Sequence, residues 1–195
     1  MHSLLLATRN EHKTREFAAI LGSGFDVGDL SAVLHLPPVE ETGRTFAENA
    51  VLKAMAASLE GSGLVAADDS GLEVDALDNR PGIRSARYAG ERATDAENVS
   101  KLLTELRCAG ANRRARFQCA IALVENGLLL EVFHGTIIGR IADAPHGEGG
   151  FGYDPIFIPD GYEQTFAALG EELKNRISHR GRAIAQLRKY LVARS

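Results

Sequence analysis

The chain alternates between short apolar runs and polar stretches with helical spacing, the pattern of an α/β fold. Ser3 to Ala7 is the first apolar run and predicts a buried strand. A polar turn, Thr8-Arg9-Asn10-Glu11-His12-Lys13, follows it, and Phe17, Ile20 and Leu21 then keep the spacing of one helix face. Either Thr8 or Asn10 can cap that helix, with Glu11 closing a capping box on Thr8. Residues 22–44 read as a Gly-, Pro- and Asp-containing connection with a short strand around Val33 to Leu36. Thr45 and Glu48 predict a second capped helix running to about Glu60, with Leu52, Met55, Ala56 and Leu59 as its apolar face. Leu64 to Ala67 is another buried strand, ended by Asp68-Asp69. Ser70-Gly71 should then turn the chain into an extended run from Leu72 to Leu77.

Pro81-Gly82 marks a turn, and Thr94 with Glu97 starts a helix whose core stripe is Val99, Leu102, Leu103 and Leu106. Ala115 to Val124 and Leu128 to Ile141 are β-rich and meet at Asn126-Gly127, a strong hairpin signal. Phe117, Cys119, Ile121 and Leu123 alternate onto one face, and Gly135 suggests a bulge in the second strand. Ile156 to Ile158 looks like a last strand. Ser178 reads as the N-cap of a C-terminal helix carrying Ile184, Leu187 and Leu191.

Composition narrows the class. With 195 residues, 45% of them hydrophobic and 25% charged, the chain suits one domain with a substantial core, arranged in two lobes. A net charge of −4 argues against a broad nucleic-acid footprint but leaves room for a local cationic pocket. Arg113-Arg114-Ala115-Arg116 has no accompanying aromatic ladder and reads as a solvated lead-in to a strand. Cys108 and Cys119 form no Cys-x-x-Cys motif, and Cys119 lies in a core strand pattern. A reduced, cytoplasmic setting is expected. The run from Leu4 to Ala7 is too short for a signal-peptide core or a membrane span.

The candidate chemistry gathers around charged pairs. Asp68-Asp69 at the end of a buried strand need a cation, a hydrogen-bond network or water. Glu40-Glu41, ahead of the second helix, is another acidic pair. The segment Thr8 to Lys13 joins a strand to a helix start, where amide groups and Lys13 attract anions without the glycines of a P-loop. Lys53, one turn after Asn49, either snorkels or points into a site shared with Glu41. Gly147 to Gly152 satisfies G-x-G-x-x-G, but a strand follows where a dinucleotide fold needs a helix, so that reading is rejected. A glycine loop that delivers Phe151, Tyr153 and Asp154 fits better. Phe151 or Tyr153 would stack on a planar base, the alternative being a buried aromatic corner. Lys174, His179 and Arg180 place donors around the start of the last helix. No second His or Cys stands at ligand spacing, which makes His179 a donor rather than a metal ligand. No G-x-S-x-G elbow exists, so Ser178-His179 is no hydrolase dyad. Together these features fit metal-assisted chemistry on a nucleoside phosphate. Carboxylates suit Mg²⁺, lysines offset triphosphate charge, and the donors would favour a purine carbonyl at C6 over adenine's amino group.

Thr8-Arg9-Asn10 with Lys13, Glu41-Thr42-Gly43, Thr45-Phe46, Glu48-Asn49-Ala50 with Lys53-Ala54, Asp68-Asp69-Ser70-Gly71-Leu72, Pro81-Gly82 with Ser85-Ala86-Arg87-Tyr88, Phe151-Gly152-Tyr153-Asp154-Pro155 and Ser178-His179-Arg180-Gly181 closely resemble the dITP/XTP pyrophosphatase family. The resemblance runs from about Leu4 to Leu191. It implies a two-lobed α/β fold, with a long central mixed β-sheet flanked by helices, in a single domain over residues 1–195. It also implies a homodimer with neither nucleic-acid nor membrane partners. The implied activity is Mg²⁺-dependent hydrolysis of ITP, dITP and XTP to monophosphate and pyrophosphate, which keeps non-standard purines out of nucleic acids. On that basis Asp69 is the expected general base, Glu41 and Asp69 the Mg²⁺ ligands and Asp68 their support. Thr8, Arg9, Asn10, Glu11, His12, Lys13 and Lys53 would hold phosphates, and Ser70 would contact substrate. Phe151, Gly152, Tyr153 and Asp154 would hold the base, with Phe151 stacking, while Lys174, His179 and Arg180 would read its oxygens. Arg9 stands where many relatives have Gly, and Tyr153 where some have Trp. The rival readings are a pyrophosphatase for modified pyrimidine triphosphates, a purine-nucleotide sensor without turnover, and a nucleotide-independent scaffold.

Overall fold

A computed structural model of the chain describes residues 2–32, 36–60 and 63–194. Its strands β1 (His2–Leu6), β2 (Phe25–Asp29), β3 (Leu64–Val74), β4 (Arg114–Glu125), β5 (Leu128–Ile141) and β6 (Phe157–Pro159) form one six-stranded sheet in the order β2-β1-β3-β4-β5-β6. β1 runs parallel to both neighbours, with Leu4 opposite Val27 on β2 and Leu64 on β3. β5 and β6 are antiparallel, with Arg140 opposite Ile158. The β4–β5 turn places Asn126 and Gly127 at φ of 49° and 78°, the left-handed pair that a two-residue hairpin turn requires. The sheet is therefore mixed, as the family resemblance implies.

The chain divides into two compact units, each with its own core. The first comprises Met1–Asp69, Cys119–Gly135 and Arg180–Ser195. It contains helices α1 (Glu11–Leu21) and α2 (Phe46–Ser58), and most of the C-terminal helix (His179–Ala193). Leu4, Leu6, Phe17, Leu21, Ile121, Leu123, Ile184 and Leu187 pack its core. The second comprises Ser70–Gln118 and Thr136–His179. It holds α3 (Asp95–Ala109), α4 (Phe166–Leu169) and α5 (Glu171–Ile177); the C-terminal helix is thus α6. Leu72, Val74, Leu102, Leu106, Phe117, Phe157 and Phe166 form its core. The predicted capping box on α3 is present, as is its buried stripe of Val99, Leu102, Leu103 and Leu106.

Several local expectations are corrected. β3 runs unbroken from Leu64 to Val74, so Ser70-Gly71 make no turn and Asp68-Asp69 lie inside a strand rather than at its end. β2 occupies part of the stretch read as a loop, while the strand expected around Val33 to Leu36 falls on 33–35, outside the described residues. Burial along β5 alternates in phase from Phe133 to Ile141, and a bulge at Gly135 would break that phase. Helix α1 is capped by Asn10, whose Oδ1 accepts from the His12 and Lys13 amides at 3.0 and 3.3 Å. Thr8 instead accepts from the Asn10 amide at 3.1 Å, so the capping box on Thr8 does not form.

Helix α2 turns a different face inward from the one its large apolar residues suggest. Ala50, Ala54 and Ala57 are buried with Phe46 and Asn49, whereas Leu52 and Leu59 are exposed. With the alanine face inward, Asn49 and Lys53 reach Asp69. Ala54→Leu should therefore cost about 1–3 kcal/mol through overpacking, while Leu59→Ser should stay within about 0.5 kcal/mol. Urea unfolding of the two variants checks the assignment, because the sequence-predicted face would give the opposite order.

Candidate active site

Strand geometry sends adjacent side chains to opposite faces of a sheet. Asp68 and Asp69 consequently meet different surroundings. Asp68 is fully buried among cations. Lys13 Nζ lies 2.5 Å from its Oδ1, and Arg180 Nε donates to its Oδ2 at 3.0 Å. The same guanidinium donates through Nη1 to Glu16 Oε2 at 2.6 Å. Burial alone would push the Asp68 carboxyl up, but Lys13, Arg180 and Lys53 outweigh it and hold the group well below the usual carboxylate range. Cys119 Sγ approaches Asp68 Oδ2 at 3.6 Å, and burial, reinforced by that carboxylate, keeps the thiol neutral well above its ordinary pKa.

Asp69 faces α2. Lys53 Nζ donates to its Oδ1 at 2.7 Å and Asn49 Nδ2 to its Oδ2 at 3.3 Å. Asn49 is itself fixed, since its Oδ1 accepts from the Gly43 amide at 2.8 Å. Lys53 divides its charge, reaching Glu41 Oε1 at 3.2 Å as well. Burial raises the Asp69 carboxyl, and the attraction of Lys53 and Lys13 does not cancel that rise. Burial works against the Lys53 ammonium, but Asp69, Asp68 and Glu41 together raise it, so it stays charged. One of two adjacent carboxylates is thus heavily compensated and the other retains basicity, a separation that marks acid–base sites.

The β1–α1 turn supplies the rest of this cluster. Arg9 Nη2 donates to the Leu36 carbonyl at 2.5 Å and ties the turn to a distant segment. His12 Nδ1 and Arg15 Nη2 are 2.7 Å apart at the exposed helix start, beside Glu11. The His12 and Lys13 amides are already engaged, donating to Asn10 Oδ1. Glu41 and Asp69 converge on one cationic group, the Lys53 ammonium, with hard oxygen donors. Among the described residues no group of three or more His, Cys, Asp or Glu is arranged to hold a metal.

The second unit holds the aromatic loop. Asp154 Oδ2 accepts from the Phe151 amide at 2.9 Å and from Lys174 Nζ at 2.6 Å, and the Lys174 ammonium lies 4.5 Å from the centre of the Phe151 ring. A Cβ on Gly150 would stand 2.2 Å from Asp154 Oδ2, so only glycine fits there. Tyr153 is buried, and its hydroxyl donates to the Ser85 carbonyl at 2.9 Å. Burial first, then the neighbouring Tyr88 and Asp95, pushes that phenol far above its ordinary range. Tyr153 is therefore an anchor rather than a stacking surface, and Phe151, partly exposed, remains the stacking candidate. His179 is buried and stacks on Phe117 at 4.6 Å with an 8° interplanar angle. Ser178 precedes it at φ −66° and ψ 163°, the extended geometry of an N-cap.

Arg180, expected beside Lys174 and His179 as a reader of base oxygens, donates through Nε to Asp68 and through Nη1 to Glu16 in the first unit. Ser70 follows Asp69 in β3, half-buried.

The Ham1 family model matches residues 4–190. The chain belongs to the Ham1 family. A dITP/XTP pyrophosphatase of Geobacillus kaustophilus (strain HTA426) is 51% identical over 189 residues, which is 96% of this chain and 93% of that protein. Another, from Geobacter sulfurreducens (strain ATCC 51573 / DSM 12127 / PCA), is 50% identical over 194 residues, covering 98% and 97% of the two chains. Among solved structures, a HAM1 protein from Coxiella burnetii superposes with a TM-score of 0.89 at 42% identity, covering 99% of this chain and all of that one. The α/β fold built on a mixed sheet is thus the Ham1 fold.

Glu16 escaped the sequence reading. Its signal is a carboxylate one residue before Phe17 and one turn after Lys13, on the inward side of α1, where burial demands a partner. Removing that partner tests the Ham1 cluster directly. Arg180→Met should cost about 3–5 kcal/mol in urea unfolding, because two buried carboxylates lose their shared cation. Arg180→Lys should recover part of the loss, since an ammonium cannot span both groups as a fork does. An unchanged midpoint with weakened nucleotide binding would return Arg180 to the base-reading role.

Proposed function

We propose that this chain hydrolyses deaminated purine nucleoside triphosphates (ITP, dITP and XTP), releasing the monophosphate and pyrophosphate. The observation that carries the reading is the unequal pair on β3. Asp68 is neutralised by Lys13 and Arg180, while Asp69 keeps a raised pKa beside Lys53 and Glu41. The names of its Ham1 relatives, which specify dITP and XTP, support the substrate class.

In this reading Lys13 and Lys53, with Thr8 to His12 and Ser70, hold the triphosphate. Asp69 takes the proton of a water that attacks the α-phosphorus. The bond from that phosphorus to the α–β bridging oxygen breaks, and the oxygen leaves with pyrophosphate. The lysines neutralise charge on the departing group. Glu41 and Asp69 would hold Mg²⁺, with the remaining positions filled by water and phosphate oxygens as this ion prefers. Their oxygen donors and their convergence on a single cation fit such an ion. When bound it supplies Lewis-acid polarisation of the phosphoryl oxygens. Asp68 keeps Lys13 in place. On the base side Phe151 stacks, and Lys174 and His179 supply donors suited to purine carbonyls. Gly152 shapes the loop, Tyr153 anchors it and Asp154 closes it.

The assembly expected for this reading is a homodimer in the cytoplasm, with residues 1–195 acting as one catalytic domain. Among the described residues no helix is long and apolar enough to cross a membrane.

Pyrophosphate release should be strong with ITP, dITP and XTP in the presence of Mg²⁺ and weak with GTP, ATP and dUTP. A preference for dUTP or other pyrimidine triphosphates would overturn the substrate class, and tight ITP binding without release would make the protein a sensor. Asp69→Asn should keep the thermal midpoint and lower kcat by about 10²–10⁴-fold, the range for loss of a general base. A kcat like that of the wild type would remove Asp69 from the mechanism.

A further inference from the structure

The Phe151 loop is held by a further contact that the mechanism leaves unused. The Gly152 amide donates to Asp95 Oδ2 at 2.6 Å, although 57 residues separate them. Asp95 is the first residue of α3, where the positive end of the helix favours a carboxylate. The helix start is itself rigid. Thr94 accepts from the Glu97 amide at 3.2 Å, and Glu97 accepts from the Thr94 amide at 2.7 Å. Behind it, Asn98 is buried; its Oδ1 accepts from the Ala89 amide at 2.8 Å. The carboxylate therefore projects from a fixed platform and fastens the residue that follows Phe151.

Other contacts hold the loop from its C-terminal side. Asp154 holds the Phe151 amide from the C-terminal side, and Tyr153 plugs into Ser85. The Asp154 amide donates in turn to the Phe151 carbonyl at 3.2 Å and holds the oxygen side of the Phe151–Gly152 peptide, while Asp95 holds its N–H side. Gly152 sits at φ +61°, where an unrestrained glycine has wide conformational freedom. Without Asp95 the peptide keeps only its carbonyl contact, and the looser N–H side frees the Phe151 ring to tilt from its place over Lys174.

We propose that Asp95 is a positioning residue for base recognition, a latch from the first turn of α3 that fixes the Phe151–Gly152 peptide in its base-receiving form. The inference rests on the reading of Phe151 as the base-stacking residue. It predicts that the latch acts through acceptor geometry rather than through charge on the substrate.

The experiment uses the full chain and compares wild type, Asp95→Ala, Asp95→Asn and Phe151→Ala. In the absence of nucleotide, hydrogen exchange of the Gly152 amide should speed up at least tenfold in Asp95→Ala, while the rest of α3 stays protected by the Thr94 cap. With ITP, Asp95→Ala should raise KM about five- to tenfold, the scale of one charge-assisted hydrogen bond, and leave kcat within about twofold. Asp95→Asn, whose amide oxygen can still accept from Gly152, should restore most of both. Phe151→Ala should raise KM at least as far, and Asp95→Ala should add little on top of it. Unchanged exchange at Gly152 would overturn the latch. So would faster exchange with unaltered KM, or an Asn variant as impaired as the Ala variant. A wild-type chain without ITP turnover would sink the functional reading instead, and the exchange measurement would still decide whether Asp95 fastens the loop.

Discussion

The buried pairing of Arg180 with Asp68 and Glu16 is the constraint on which the charged cluster around β3 depends. It brings a strand, β3, together with two helices, α1 and α6, at one guanidinium. A buried ion group of this kind seldom adds much net stability, because desolvation cancels most of the attraction. Its consequence is positional. Arg180 presents a planar fork, so the two carboxylates must approach at defined angles. Glu16 and Lys13 lie one turn apart on α1, and fixing Glu16 therefore fixes Lys13 against the other oxygen of Asp68. The β1–α1 turn, with its Asn10 cap, is then held at one height over the strand.

That placement explains why two chemically identical neighbours can have different roles. Asp68 receives one lysine and half of an arginine, whereas Asp69 shares one lysine with Glu41 and adds a single amide donor. Both groups feel a desolvation cost, and only one is fully compensated. The pleat then keeps the two environments apart, since a one-residue step along a strand reverses the face. Had the chain turned at Ser70, as the glycine suggested, both carboxylates would lie in a solvated loop, and this difference could not be maintained.

The sequence was most legible where a residue's local chemistry has one outcome. The Asn126-Gly127 hairpin, the capping box on Thr94 and the stripe on α3 depend on neighbours within a few positions. It was less legible where a distant partner decides. The inward face of α2 follows from small alanines and from the need to aim Lys53 at Asp69, a partner 16 residues away. Arg180 is adjacent to His179 in the chain, yet its guanidinium answers Glu16 and Asp68, 164 and 112 positions away. Tyr153 resembles a stacking ring until Ser85 is seen to accept from its hydroxyl. In each case the residue was identified as functional material while its role was set by long-range packing. β2 was missed for a related reason: Asp26, Gly28 and Asp29 are poor strand formers, and pairing with β1 overrides them.

The aromatic loop shows how such packing prepares a site before any ligand arrives. Loop backbone is normally mobile, and ordering it on binding would subtract from affinity. Here the Phe151 and Gly152 amides are already donated to carboxylates, and the Lys174 charge is already met by Asp154. The bare Cα of Gly150 is what permits Asp154 to come this close. The Lys174 ammonium, 4.5 Å from the ring centre, also polarises the Phe151 ring. Under the proposed function a base stacking there would not need to order the loop, and discrimination would fall on the polar groups at its edge. Those edges are where deaminated purines differ from adenine, because a carbonyl replaces an amino group and accepts where the amino group would donate. In the proposed function, donors held in advance would reward the first and leave the second unpaired, so rigidity in this loop would convert a single atom's difference into selectivity.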